Sequence, residues 1–391
     1  MTWGAAVGPA LSDNVAVITR RDFLATTAGA LIAPAFSTPG LKTRPPSQRA
    51  LKHYVWMRPS LKKTADDLRR DFALMKASGL TGVVAEIYNG RTAFYRSRRF
   101  PVRAEWLETA IPIAKAEGLE LHAWMWTLVC GQDAVIRDHP DWYNVNARGE
   151  SAHDKPAYVD YYKFLDPARP EVREYIRDTV SEIAGIPGLA SVHLDYVRHP
   201  DAILPSGLWS KYGIVQDKVY APYDYGYTAY SRGLFKAKHG VDPIELKDPE
   251  ASREWLQYRL DSVVDLVNEY LVPAARAKGT PMTAAVFPGP GLARTMVRQD
   301  WGRFKLDAFF PMLYSSFYEA GPDFVSKYTE EAVRTVQAPV YSGLYVDPMS
   351  ATDFTRSIEL ARAAGAAGVS IFDFGAMTAE RWRLMQRAVV R

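Results

Sequence analysis

The chain has 391 residues, 48% of them hydrophobic and 24% charged, the balance of an ordinary globular protein with enough material for a large core. The formal net charge is only +4, and the basic groups are scattered apart from a short run at Arg96, Arg98 and Arg99, which excludes the footprint of a nucleic-acid binder. The one cysteine, Cys130, excludes an internal disulfide and a cysteine zinc cluster; the seven histidines show no HxH or HExxH spacing, so no metal and no cofactor is expected.

Arg20-Arg21-Asp22-Phe23-Leu24 precedes a mildly apolar run from Ala25 to Ala35. Twin arginines before a weak hydrophobic segment resemble a twin-arginine export signal. The run is too short and too weakly apolar to span a bilayer. Ala33-Pro34-Ala35 offers a cleavage region. Residues 1–36 therefore read as a signal peptide and 37–50, rich in Pro, Ser and basic residues, as a linker. Residues 51–391 read as the main domain. The expected compartment is periplasmic or extracellular, with no membrane contact after cleavage.

From His53 onward, strand signals alternate with helical patterns, as in a parallel α/β fold. His53 to Met57 is the first strand. A helix follows from Lys63 to Ser78, with Leu68, Phe72 and Met75 on one face and Gly79 as its stop. Thr81 to Tyr88 is the second strand, with Val84, Glu86 and Tyr88 read as one face. A helix over 104–117 leads to the third strand, Leu119 to Trp126, with His122, Trp124 and Trp126 on one face. A helical run from Pro170 to Ile183 feeds the fourth strand. A Tyr-rich insertion follows, about Asp201 to Asp248, and one long helix is expected from Pro249 to Lys278. The fifth strand is Met282 to Phe287. A short helical turn near Asp300-Trp301 leads to the sixth, Leu306 to Tyr314. The seventh is Val340 to Val346 and the eighth Gly368 to Phe374, with helices at 325–336, 351–364 and 379–390. Eight strands with helices between them is the count of a (β/α)8 TIM barrel. The competing doubly wound sheet lacks any GxGxxG or GxxxxGKS loop to bind a nucleotide.

The fourth strand ends in the densest polar cluster of the chain, Ser191-Val192-His193-Leu194-Asp195-Tyr196-Val197-Arg198-His199. Alternation puts Val192 and Leu194 on one side and Ser191, His193 and Asp195 on the other. An aspartate at the carboxyl end of a barrel strand stands where such barrels place their chemistry. The blander alternative is that Asp195 only caps the next element or pairs with Arg198.

Several segments, in order, resemble the glycosyl-hydrolase-like 10 family. Leu165-Asp166-Pro167-Ala168-Arg169-Pro170-Glu171-Val172-Arg173 is similar to its (L)(N/D)P-x-x-P-E-V-R segment. Val192-His193-Leu194-Asp195-Tyr196-Val197-Arg198-His199-Pro200 is similar to its strand ending H-(L/F)-D-(D/Y)-x-R-(Y/H)-P. Val55-Trp56-Met57-Arg58, Ala93-Phe94-Tyr95-Arg96-Ser97, His122-Ala123-Trp124, Gln299-Asp300-Trp301 and the run from Asp307 through Pro311 to Tyr314 fall into its remaining pattern. The resemblance covers most of residues 53–375. It implies a TIM-barrel glycoside hydrolase-like protein acting on carbohydrate. The family often has Gln where Glu86 stands, Asp where Thr92 stands and Pro-Gln where Pro311-Met312 stands, so a second catalytic group does not carry over.

Glycoside hydrolysis needs two carboxyl groups flanking one bond, about 5 to 9.5 Å apart. Asp195 is the first, with Arg198 placed to pair with it and keep it ionised. The second is open among Glu86 at the end of strand two, Asp300 after strand five and Asp373 at the end of strand eight. His193, His122 and Arg198 are candidates to contact sugar hydroxyls or an acidic sugar. Trp124, Trp126, Tyr314 and Tyr345 are candidates to stack on a sugar ring, with plain core filling as the other reading for each. The expectation is a secreted glycoside hydrolase cleaving a poly- or oligosaccharide. The alternative is a carbohydrate-binding barrel without activity.

Overall fold

The computed structural model describes residues 50–389. The expected signal peptide and most of the expected linker lie outside them.

Strands β1 (Tyr54–Met57), β2 (Gly82–Tyr88), β3 (Glu120–Trp126) and β4 (Ser191–Asp195) form the first half of a parallel sheet. The second half is β5 (Met282–Val286), β6 (Ala308–Pro311), β7 (Tyr341–Tyr345) and β8 (Gly368–Phe372). The strand order runs β6-β5-β4-β3-β2-β1-β8-β7. Parallel bridges Phe309 to Val340 and Met312 to Gly343 join β6 to β7 and close the ring. At that seam a Cβ on Gly343 would stand 2.8 Å from the Pro311 carbonyl oxygen, so only glycine lets the strands meet there.

Helices α1 (Ala65–Ala77), α2 (Trp106–Ala116), α3 (Asp133–Asp138) and α4 (Pro170–Ala184) lie between the early strands. Local chemistry sets their ends. In α1 the Thr64 hydroxyl accepts from the Asp67 N–H, and the Asp67 carboxylate accepts from the Thr64 N–H, a reciprocal cap. Leu68, Phe72 and Met75, spaced along one stripe, are buried against the sheet. In α4 Pro170 occupies the first turn, where its missing N–H costs nothing, and Val172, Ile176, Val180 and Ile183 face inward.

The excursion after β4 carries α5 (Trp209–Tyr212) and α6 (Ala229–His239). The single helix expected over 249–278 is divided. It consists of α7 (Arg253–Asp265), a π-helical stretch over Leu266–Leu271, and α8 (Val272–Arg276). Pro273 has no N–H for the carbonyl four residues back, and the wider turn before it absorbs the mismatch. Between β5 and β6, α9 (Pro290–Val297) precedes the expected turn at Trp301–Arg303. Helix α9 is not among those expected; it opens at Gly289-Pro290-Gly291 and buries Ala293, Met296 and Val297. Helices α10 (Asp323–Thr335), α11 (Ala351–Ala363) and α12 (Ala379–Val389) complete the ring.

The barrel core has two parts, beside two small clusters under the long loops, around Tyr225 and around Trp255. Val55, Val83, Leu121, Val192, Leu194 and their like pack between strands and helices. Tyr54, Trp56, Val84, Trp124, Ala285, Phe310 and Tyr341 fill the barrel interior. The alternation expected for β4 therefore holds, with Val192 and Leu194 outside. For β2 it fails at its last residue. The register slips between Glu86 and Tyr88, so Tyr88 leaves the inner face and stacks on Phe100 at 4.3 Å.

Candidate active site

The carboxyl ends of the strands open into a cavity of about 280 Å³. Trp56, Trp124, Trp126, Asp195, Tyr314 and Phe372 form its floor and near walls. The loop after β3 adds Tyr158, Tyr161 and Tyr162; the excursion after β4 adds Tyr196, Arg198, Leu208 and Tyr212. These two loops brace each other. Asn146 and Tyr225 form an antiparallel bridge, and the Tyr158 hydroxyl donates to the Asp201 carbonyl across 2.7 Å. A larger groove of about 920 Å³ lies among α4, α6 and α7 on the outside of the barrel, away from the strand ends.

Asp195 is buried and held at both oxygens. The Trp124 indole N–H donates to Oδ2 across 3.0 Å, and the Tyr196 backbone N–H donates to Oδ1 across 2.7 Å. Just past this bond Tyr196 itself adopts φ of 51°, a conformation few non-glycine residues take. Burial pushes the Asp195 carboxyl up; the two donors, Arg198 and Arg58 pull against it without prevailing.

Glu86, on β2, is also buried. Burial pushes its carboxyl up to about 6, Asp195 adds to the rise, and Arg58 and the Trp126 indole oppose it. Thus β3, carrying Trp124 and Trp126, stands between the strands of the two carboxyls; Asp195 lines the cavity, whereas Glu86 does not and meets it through Arg58, 3.5 Å away, which does. Asp373, just past β8, receives a hydrogen bond of 2.9 Å from Arg58. It lines an adjoining cavity of about 380 Å³ together with Tyr345. Asp300 is set apart. Its carboxylate is engaged by Arg294 of α9 and by Arg303 of the turn that follows Asp300, and neither cation lines either cavity.

The expected pairing of Arg198 with Asp195 is not formed. Arg198 bonds Asp201 at 2.9 Å and the His199 carbonyl at 3.0 Å, because Asp201 lies three residues on within the same tight loop. The rings of Tyr162, Phe164, Tyr196 and Phe287 surround its guanidinium at 5.4 to 5.9 Å. It still lines the cavity.

The two candidate histidines sit below the cavity. His193 is wholly buried between Trp56 and Phe310, and its Nδ1 is 2.8 Å from the Thr283 hydroxyl. Burial holds it well below its ordinary range, so the ring is neutral. His122 is one layer deeper, 2.7 Å from the Ser191 hydroxyl and 3.4 Å from Glu120. Trp126 and Tyr314 face the cavity, with Trp126 5.0 Å from the Tyr196 ring and Tyr314 5.5 Å from Phe372. Among the described residues no group of three or more His, Cys, Asp or Glu side chains gathers to hold a metal ion.

Sequence reasoning passed over Arg58 as a functional residue and the tyrosines of the β3 loop. The first stands in the Trp-Met-Arg of the first strand, where its family resemblance was the available signal. The second group sits in a segment without periodicity.

No family model matches the chain, and no curated protein matches it. Solved structures do. The catalytic domain of a β-amylase from Paenibacillus polymyxa matches with a TM-score of 0.60 at 13% identity, over 87% of this chain and 97% of that one. A β-galactosidase from the psychrophilic Marinomonas ef1 matches with a TM-score of 0.60 at 16% identity, over 87% of this chain and 59% of that one. An α-L-fucosidase, isoenzyme 2 from Paenibacillus thiaminolyticus, matches with a TM-score of 0.55 at 11% identity, over 88% and 49%. These neighbours are glycoside hydrolases. At such identities the likeness is one of fold, a TIM barrel, and the chain spans about half to three fifths of the last two proteins.

Proposed function

We propose that the chain is a glycoside hydrolase that cleaves a glycosidic bond in a poly- or oligosaccharide with Asp195 and Glu86 as its carboxyl pair. The observation that carries this reading is a pair of buried carboxyls on β2 and β4, the strands either side of β3: Asp195 lines the aromatic-walled cavity, and Glu86 lies 3.5 Å from Arg58, which lines it too. Their surroundings suit different roles. Glu86, raised to about 6, is the proton donor to the leaving oxygen. Asp195, whose carboxyl burial also raises but which alone has an N–H donor on each oxygen, is the carboxylate that acts as base or nucleophile. Trp126 and Tyr314 offer apolar faces to a sugar ring. The resemblance to the glycosyl-hydrolase-like 10 segments supports the same reading, and the twin-arginine segment supports export to the periplasm or beyond.

The test is a screen of the purified chain against a polysaccharide panel, read as new reducing ends, with Asp195→Asn beside it. Release by the wild type and loss in the variant supports the reading. Retention of a polysaccharide on the wild type without cleavage would turn the protein into a carbohydrate-binding barrel.

A further inference from the structure

Arg58 lies just beyond β1 and belongs to two cavities at once, the one above Asp195 and the adjoining one with Asp373 and Tyr345. Its guanidinium is flanked by the rings of Trp124 and Phe372, each 5.3 Å away. It serves two carboxyls unequally. Nη1 donates to Asp373 Oδ2 across 2.9 Å, whereas Nε stands 3.5 Å from Glu86 Oε2. That oxygen of Glu86 has no hydrogen-bond partner among the described residues.

The inner carboxyl is therefore the poorly served one. The Glu86 side chain is 7% exposed, Asp373 25% and Arg58 49%. The charged and titratable groups around Glu86 are few. Arg58 approaches from β1 and Asp195 from β4; Asp373, after β8, reaches Glu86 only by way of Arg58, and Arg198, after β4, acts on Asp195. β3 brings only the Trp126 indole. Arg58 is the cation in contact with Glu86, and Asp373 holds the better part of it.

We propose that Arg58 is the positioning residue of Glu86, and that Asp373 decides how much of the Arg58 charge reaches it. The proposal deepens the reading of Glu86 as the acid and rests on it for its catalytic meaning. Its physical content is separate: an opposite charge within about 4–6 Å favours the ionised carboxyl, and a second anion that neutralises that charge weakens the effect.

The experiment reads Glu86 itself. The carboxyl carbons of the full chain, labelled at glutamate, are titrated by 13C NMR, with Glu86→Gln identifying the signal by its loss. Arg58→Met keeps an unbranched stem between Trp124 and Phe372 and removes the charge; the Glu86 midpoint should rise by about one pH unit or more. Asp373→Asn leaves Arg58 a neutral acceptor; the midpoint should fall by about half a unit or more. Arg58→Lys should bring the midpoint back toward wild type. Movements smaller than about 0.3 unit in both charge-removing variants, with near-ultraviolet circular dichroism intact, would overturn the proposal. If Arg58→Met fails to fold, Asp373→Asn, changed at a partly exposed side chain, decides alone. Midpoints that move as stated while Glu86→Gln keeps full hydrolytic activity would leave the Arg58 relationship standing and remove Glu86 from the chemistry. A Glu86-dependent activity with an unmoved midpoint does the reverse.

Discussion

The Trp124 indole donates to Asp195 from the neighbouring strand, 3.0 Å from N to O, with both side chains buried. The Tyr196 N–H holds the other oxygen at 2.7 Å. With one donor on each oxygen, the carboxylate cannot turn without losing a bond. Removal of the indole donor should therefore be felt in turnover. Trp124→Phe keeps a ring and loses the N–H; kcat should fall about ten- to a hundredfold, the scale of a hydrogen bond to a charged group, with KM little changed. Steady-state kinetics on the polysaccharide that the screen identifies would check this.

Asp195→Asn keeps the shape and removes the charge. Turnover should fall at least about a hundredfold. Stability should change by no more than about 2 kcal/mol, since the only buried groups left facing an amide are two N–H donors and no ion pair is broken. Urea unfolding and turnover on the same preparation separate the two effects. A fully active variant would remove Asp195 from the reaction.

Asp201 is the residue on which Arg198 depends. Both side chains are buried, and Asp201→Ala strands a guanidinium among aromatic rings. The loss should be about 3–5 kcal/mol of unfolding free energy. A loss below about 1 kcal/mol in urea titration would show that other groups carry the Arg198 charge.

Glu86 makes stability depend on pH in a stated direction. Its carboxyl stands at about 6 in the folded protein against an ordinary 4.5. Below about pH 4.5 it is protonated folded or unfolded, and its burial is not penalised. As pH rises through about 6, the folded protein must bury a carboxylate, at a cost of about 2 kcal/mol. Glu86→Gln cannot ionise, so it should gain on the wild type by that amount between about pH 4 and pH 8. Parallel stability curves for the two proteins would contradict this. Hydrolysis should weaken over the same rise, as the acid loses its proton.

Export is checked in cells. With Arg20 and Arg21 both changed to Lys, the protein should stay in the cytoplasm, as fractionation and immunoblotting would report. Unchanged export would dismiss the twin-arginine reading, which concerns residues outside those described.

Much of the barrel is legible in the chain because it is written in local periods. Leu68, Phe72 and Met75 mark a helix by spacing alone, and alternation places Val192 and Leu194 outside while Ser191, His193 and Asp195 point inward. Local rules also limit the reading. A register slip after Glu86 turns Tyr88 outward, and Pro273 breaks a helix whose polar and apolar pattern continues through it. Asp195 stands out in sequence because its whole polar cluster is contiguous. Its companions do not, because proximity at the mouth of a barrel is set by ring closure rather than by chain order. Arg58 and Asp373 are 315 residues apart and 2.9 Å apart in space. Glu86, Asp300 and Asp373 look alike as acids at strand or loop ends. Only the tertiary structure distinguishes an acid buried beside a shared cation from one clasped by Arg294 and Arg303. Arg198 likewise turns to Asp201 rather than Asp195, since an ion pair follows distance and desolvation through space, and neither quantity is encoded in a local repeat.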